Sequence, residues 1–179
     1  MILKTKNPLF LVPFKYGFIG AAMNILALVV LYYLGRHPLL LNPILDARIP
    51  LYIIFVFVSF KEFKEQYSGG ILHFWQGMTM GMIAYSIMAL GASLFIFTFS
   101  AIETTHFLAE YIRIATSQLQ ANKALFIETI SEKTFNETLA QLPETRPVHL
   151  AVDYLLKSMP IGLFLTIILA VLFRQQRVN

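Results

Sequence analysis

Long stretches of hydrophobic residues bounded by charged positions dominate the chain. No Asp, Glu, Lys or Arg lies between Lys15 and Arg36, and a helix over these twenty residues would be about 30 Å long, the thickness of a bilayer's hydrocarbon core. The 32 residues of 71–102 and the sixteen residues of 158–173 are uncharged in the same way. We therefore expect membrane-spanning helices at about 16–35, 74–100 and 154–173.

A fourth apolar segment is shorter than these three. The uncharged run 49–60 has only twelve residues, too few to cross a bilayer alone. A helix over about 46–64 would cross if its charged ends reached the two interfaces. We therefore predict an all-α membrane protein with four crossings in a single membrane domain, 1–179.

The polar part of the chain, 103–146, precedes the last crossing. Its apolar residues recur at helical spacing, which predicts two or three amphipathic helices, the first continuous with the third crossing. Thr134 and Glu137 have the spacing of a capping box at the start of a short helix. The sequence thus predicts a helical lobe outside the membrane, with these apolar residues to be buried somewhere: Phe107, Tyr111, Leu125, Phe126 and Phe135.

Composition and charge agree with a membrane protein and indicate its orientation. The chain is 57% hydrophobic and only 13% charged, which excludes an ordinary soluble domain. With four crossings, both termini and the 61–70 loop share one side, which holds seven bases: Lys4, Lys6, Lys15, Lys61, Lys64, Arg174 and Arg177. The other short loop holds Arg36 and Arg48. The positive-inside rule then places both termini in the cytoplasm and the lobe outside.

Several classes of chemistry are absent from the sequence. The chain has no cysteine, which excludes disulfides, thiolate metal sites and a cysteine nucleophile. It has no P-loop, G-x-S-x-G, H-E-x-x-H or dinucleotide fingerprint, so we expect no enzymatic activity. Its scattered bases form no nucleic-acid patch, and the crossings lack the buried ionisable groups of ion-coupled transporters.

Two stripes of small residues predict close helix packing. They lie on the first crossing at Gly17, Gly20, Ala21 and Asn24, and on the third crossing at Gly77, Gly81 and Ala84. Small residues let helix backbones approach, and Asn24 can hydrogen-bond across such a contact. The stripes favour packing within the bundle, with self-association as the alternative.

A metal site is a further hypothesis. Glu103, His106 and Glu110 would share one face if the helix continued through them, and His149 and Asp153 are four residues apart before the last crossing. Carboxylates and imidazoles on facing helices bind divalent metals such as Zn²⁺, Mn²⁺ or iron. Ordinary polar residues at a helix end explain the same pattern.

Two sequence stretches resemble a known family. They are Phe14-Lys-Tyr-Gly-Phe-Ile-Gly20 and the run from Phe60 to Gly81, which contains Lys-Glu-Phe-Lys-Glu and Gly-Gly-Ile-Leu-His-Phe-Trp. The chain resembles the small four-helix membrane family of Bacteroidetes that is known only as a domain of unknown function. The resemblance implies a bacterial inner membrane and four helices, and it implies no activity, ligand or catalytic residue.

These observations favour an accessory protein of the inner membrane, part of a homo- or hetero-oligomeric envelope complex. Its partners would be the lipid bilayer and a membrane protein or a second copy, with no nucleic acid and no required cofactor. The alternative is a lipid or hydrophobic-ligand binding protein that uses the lobe. A divalent metal protein is a third interpretation.

Overall fold

The computed structural model describes residues 7–41, 48–129 and 131–174, apart from the side chains of Arg48 and Glu103. Within these residues the chain is helical and has no strand. The α-helices are α1 (Pro8–Tyr33), α2 (Arg48–Tyr67), α3 (Phe74–Ala101), α4 (Phe107–Ala121), α5 (Lys123–Thr129), α6 (Glu132–Gln141) and α7 (Pro147–Phe173).

Three of these helices, α1, α3 and α7, are long and apolar enough to cross a membrane. They overlap the predicted crossings 16–35, 74–100 and 154–173. The helix at the fourth predicted crossing, α2, is not among them, because its last turns carry Lys61, Glu62, Lys64 and Glu65. Residues 46–47 of that predicted crossing lie outside the described residues.

The first helix begins well before the predicted residue 16. The side chain of Asn7 accepts a hydrogen bond from the Leu9 amide at 3.1 Å, and Pro8 occupies the first helical position, where its missing N–H costs little. Lys15 therefore lies inside α1, with its ammonium 2.8 Å from a carboxylate oxygen of Glu62 on α2. The uncharged run thus marks the apolar part of α1 and not its first residue.

The third helix is central and packs against both α1 and α7. Along α1, Gly17 lies against Ala84 and Gly20 lies against Met88, so α1 and α3 run parallel. Along α7 the order is reversed, with Gly77 against Ala170 and Gly81 against Thr166. Because α1 and α3 are parallel, the chain between them runs back along the bundle.

Part of this return is α2, which packs against one half of the bundle. The Tyr52 ring lies edge-on to the Tyr85 ring, and farther along α2 the Phe60 ring lies beside Phe173. The buried side chains of α2 form one hydrophobic core with those from the first turns of α1 and the first half of α3. We call this end of the bundle, where α2 turns into α3, the turn end.

The opposite end, which we call the lobe end, holds α4, α5 and α6. The predicted continuity of the third crossing with the first lobe helix is wrong. A short 3₁₀ turn, Glu103–Thr105, follows α3, and His106 then adopts a left-handed backbone with φ 52°. This conformation ends helical propagation, and α4 starts afresh at Phe107.

The predicted cap at Thr134 is also shifted. The structure caps α6 at Ser131, whose side chain accepts a hydrogen bond from the Thr134 amide at 3.2 Å. Ser131 lies three residues before Thr134, just as Thr134 lies three residues before Glu137. The helix starts at the earlier of these two possible caps.

Candidate functional site

Five aromatic rings join the lobe to the bundle. They come from the end of α1, the end of α3, the segment after α1 and the start of α4, and we call them the aromatic cluster: Tyr32, His37, Phe99, Phe107 and Tyr111. The closest ring pair is His37 and Phe107, with centroids 4.4 Å apart. Such tilted and edge-on ring pairs add to the burial of apolar area. The cluster holds the start of α4 against the ends of α1 and α3.

His37 is the titratable member of the aromatic cluster and is only 5% exposed. Its Nε2 lies 3.2 Å from the carbonyl oxygen of Phe107, which fits a neutral ring donating from that nitrogen. Its buried Nδ1 has no hydrogen-bond partner among the described residues. Burial lowers the pKa of His37, while the Phe107 carbonyl and the charge of Glu110 act in the opposite direction.

A groove of about 390 Å³ opens on the lobe beside this cluster, and we call it the lobe groove. Tyr111 belongs to both the groove and the cluster. The groove is lined by Leu40, Tyr111, Ala115, Gln118, Leu119, Asn122, Phe126, Thr138, Leu142 and Lys157. An apolar floor with a few polar groups is typical of sites that bind hydrophobic ligands or partner side chains.

The apolar lobe residues that the sequence singles out have different surroundings. Phe107 and Phe135 are buried, and the Lys123 ammonium lies over the Phe135 ring, 5.6 Å from its centroid. Tyr111 and Phe126 line the lobe groove, whereas Leu125 is exposed. The lobe therefore buries part of its apolar surface internally and leaves part of it accessible from outside.

The small-residue stripes lie at contacts between helices of the bundle. Gly17, Gly20, Ala21 and Asn24 are buried on α1, and Gly77, Gly81 and Ala84 are buried on α3. A Cβ on Gly81 would come within 2.6 Å of the Thr166 side chain. Gly17, Gly20 and Ala21 of the first stripe face α3, and the glycines of the second face α7.

Hydrogen bonds between side chains of different helices also link the bundle, and the small-residue stripes do not indicate them. The Tyr52 hydroxyl on α2 lies 2.5 Å from Thr166 Oγ1 on α7, and the Tyr85 hydroxyl on α3 donates to the Ser158 carbonyl of α7. Asn24 on α1 donates to the Tyr154 hydroxyl at 3.2 Å. Tyrosines inside otherwise apolar runs are the sequence signal for such bonds, because a buried hydroxyl needs a partner.

The residues proposed for a metal site occupy four separate local structures. Glu103 begins the 3₁₀ turn, His106 has the left-handed backbone before α4, and Glu110 lies in the first turn of α4, where Arg113 approaches its carboxylate at 3.5 Å. On α7, His149 accepts from the Arg146 amide and Asp153 pairs with Lys157 at 2.7 Å. The helix that would have aligned Glu103 with His106 is therefore interrupted.

Within the described part of the chain, no group of three or more His, Cys, Asp or Glu side chains is arranged to hold a metal ion. The side chain of Glu103 is outside that part. The metal site stays a prediction from sequence.

One comparison with known proteins assigns the chain to a family. The family described as "Protein of unknown function (DUF4199)" matches residues 15–175. The chain belongs to this family. The match covers α2 to α7 and all but the first turns of α1, so the DUF4199 unit includes both the bundle and the lobe. No match to the chain was found among curated proteins or among solved structures.

Proposed function

We propose that this DUF4199 chain is a non-enzymatic accessory protein of the bacterial inner membrane that presents its lobe to a partner outside the cytoplasm. The observation that carries the proposal is the division of the molecule into a bundle with an apolar exterior and a lobe with an open groove. Bulky side chains such as Phe18, Leu94 and Phe164 are about two-thirds exposed on the bundle helices, as expected for surfaces that face lipid tails.

The parallel arrangement of α1 and α3 supports four membrane segments. Two parallel helices that follow each other in the chain need a return segment between them. The 20-residue α2, together with the residues before it, supplies that return. The charged end of α2 would then lie at the interface, where lysine side chains can reach water.

The distribution of basic residues supports a cytoplasmic turn end. Among the short segments that flank the apolar helices, Lys61, Lys64 and Arg174 lie at this end of the bundle, whereas Arg36 lies at the lobe end. The bases of the lobe helices themselves, such as Arg113 and Lys123, belong to the long polar segment and are not part of this comparison. Three of the seven bases that the sequence assigns to this side of the membrane lie outside the described residues, at positions 4, 6 and 177. The positive-inside rule then puts the lobe on the outer side.

The packing of the stripes favours a partner at the lobe over helix pairing through small residues. Gly17, Gly20, Gly77 and Gly81 are already in contact with neighbouring helices of the same chain. A second copy could not use those faces without displacing α3 or α7. The lobe groove is open to solvent, and Gln118 and Asn122 on its border are exposed.

Site-specific photo-crosslinking in native membranes tests this proposal. Benzoylphenylalanine at Gln118 or Asn122 should give a discrete crosslinked protein band, and the same probe at exposed Glu128, outside the groove lining, is the matched control. A single partner captured only from the groove positions would support the accessory role. Equal labelling from all three positions, or no protein adduct at the groove, would contradict it.

A second candidate function is the binding of a hydrophobic small molecule or lipid in the lobe groove. Its volume of about 390 Å³ and its Tyr111, Leu119 and Phe126 lining favour this alternative. Mass spectrometry of lipids extracted from the purified protein would detect such a ligand. Phe126→Ala should lose it, and Leu125→Ala, which removes an exposed neighbour, should keep it.

A further inference from the structure

A second groove lies at the turn end, between the last turns of α2 and the end of α7. It has a volume of about 280 Å³ and is lined by Phe57, Phe60, Lys61, Lys64, Glu65, Gly70 and Phe173. We call it the α2–α7 groove. The Phe173 ring centroid lies 5.2 Å from that of Phe57 and 6.3 Å from that of Phe60, so three phenyl rings form its apolar wall.

The charged residues of α2 divide between two sides of the helix. Glu62 turns toward α1, where Lys15 and the Tyr16 hydroxyl contact the same carboxylate oxygen at 2.8 and 2.5 Å. Lys61, Lys64 and Glu65 instead border the α2–α7 groove. Because Glu62 pairs with Lys15, its negative charge does not lie at the groove.

The groove border therefore carries two cations and one anion. The Lys61 ammonium lies 4.0 Å from the Glu65 carboxylate, and both side chains are largely exposed. An exposed pair at this distance is weak and leaves the lysine free to bind another anion. A positive border next to an apolar wall matches a molecule that has a negative head and a hydrocarbon tail.

We propose that the α2–α7 groove binds an anionic phospholipid of the cytoplasmic leaflet. Lys61 and Lys64 bind the phosphate, and an acyl chain lies along Phe57, Phe60 and Phe173. Basic pockets between membrane helices on the cytoplasmic side are suited to anionic lipid head groups. The leaflet assignment rests on the proposed orientation, whereas the lipid class follows from the groove itself.

Native mass spectrometry of the purified protein tests the lipid class. The protein is mixed in detergent with phosphatidylglycerol or with phosphatidylcholine of the same acyl chains, and retained lipid is counted. We expect retention of phosphatidylglycerol and much weaker retention of phosphatidylcholine. A lysine near an anionic lipid contributes roughly fivefold to binding, so the double variant Lys61→Gln/Lys64→Gln should lower phosphatidylglycerol affinity about 25-fold.

Two controls separate a specific site from general effects of charge or folding. Lys123→Gln/Lys133→Gln makes the same charge change on exposed lobe residues and should leave retention unchanged. Glu65→Gln removes the one anion of the groove border and should raise phosphatidylglycerol affinity, an effect that misfolding cannot mimic. Equal retention of the two lipids, or equal losses in both lysine pairs, would overturn the proposal.

The lipid measurement can fail while the proposed accessory role holds, and the accessory role can fail while the lipid site holds. The mass-spectrometric result does not depend on which side of the membrane the turn end occupies, and it does not involve the lobe. Selective phosphatidylglycerol binding together with an external location of Gln66 at the end of α2 would overturn the leaflet assignment and keep the site.

Discussion

The side chain of Tyr85 occupies the space beside Gly162 on α7. A Cβ at Gly162 would come within 2.1 Å of the tyrosine ring, closer than atoms can approach. The Tyr85 hydroxyl donates to the Ser158 carbonyl one turn away on the same helix, which fixes the ring against this glycine. The absence of a side chain at position 162 therefore lets α3 and α7 pack.

The variant Gly162→Ala should destabilise the protein by about 1–3 kcal/mol, the usual cost of overpacking a tight contact. In the background of Tyr85→Ala the same change should cost almost nothing, because the clashing ring is gone. Unfolding by sodium dodecyl sulfate in mixed micelles measures the free energy of unfolding of the native protein, the two single variants and the double variant. A neutral or stabilising Gly162→Ala in the native background would contradict the contact.

The buried imidazole of His37 predicts a pH dependence of stability. Burial lowers the pKa of His37 in the folded protein, so the unfolded chain binds more protons in the interval below the ordinary histidine pKa of about 6.5. Stability should therefore be highest above pH 7 and should fall as the pH drops below about 6.5. Thermal unfolding between pH 7.5 and pH 5.5 would measure the slope.

His37→Gln should lose this part of the slope, since it removes the buried titrating group. His149→Gln, which changes an exposed histidine of α7, should keep it. An unchanged slope in His37→Gln would show that the dependence arises elsewhere in the protein.

At the residue scale, sequence spacing predicts the stripes but not their partners. Gly77, Gly81 and Ala84 are recognisable because small residues recur at helical spacing in an apolar run. Gly162 and its contact with Tyr85 depend on the register between α3 and α7, which local sequence does not encode. The burial of His37 likewise depends on the rings of Phe107 and Tyr111, which lie 70 and 74 residues farther along the chain.

At the scale of elements, Tyr52 connects α2 to the centre of the bundle through hydrogen bonds. The Tyr52 hydroxyl lies 2.5 Å from Thr166 Oγ1 and 3.4 Å from the Gly81 carbonyl oxygen. Thr166 itself donates to the Gly162 carbonyl, so the hydroxyls of α2 and α7 form a chain of hydrogen bonds.

Tyr52→Phe should lower the free energy of unfolding by about 1 kcal/mol, because the variant keeps the packed ring and loses a buried hydrogen bond. Tyr67→Phe, at the half-exposed end of the same helix, is the matched control and should have no measurable effect. Unfolding of both variants in mixed micelles checks this expectation. A loss that is equal in the two variants would contradict the role of the Tyr52 hydroxyl.

Uncharged runs identify the long apolar helices because hydrocarbon excludes unpaired charge, but their ends depend on longer-range contacts. The start of α1 lies before Lys15 because Asn7 caps the helix there, and the charge of Lys15 is paired with Glu62 from α2. The break between α3 and α4 depends on the extended backbone of Ile102 and the left-handed backbone of His106, which no hydrophobic pattern reports. Sequence therefore predicted that these elements exist more reliably than it predicted their boundaries.

At the scale of the whole molecule, the parallel arrangement of α1 and α3 is the feature that links fold to topology. It requires a return between them, and α2 provides part of it. The lobe follows α3 and precedes α7, so it lies at the opposite end of the bundle from the α2–α3 turn. If α1, α3 and α7 cross the membrane, the lobe and this turn face opposite compartments.

Cysteine labelling in spheroplasts tests this topology most directly. The chain has no cysteine, so a membrane-impermeant maleimide reports only an introduced one. Arg36→Cys, Gln66→Cys and Ser117→Cys place it after α1, at the end of α2 and on the lobe. We expect labelling of Arg36→Cys and Ser117→Cys from outside, and of Gln66→Cys only after the membrane is opened. Labelling of Gln66→Cys in intact spheroplasts would contradict this topology.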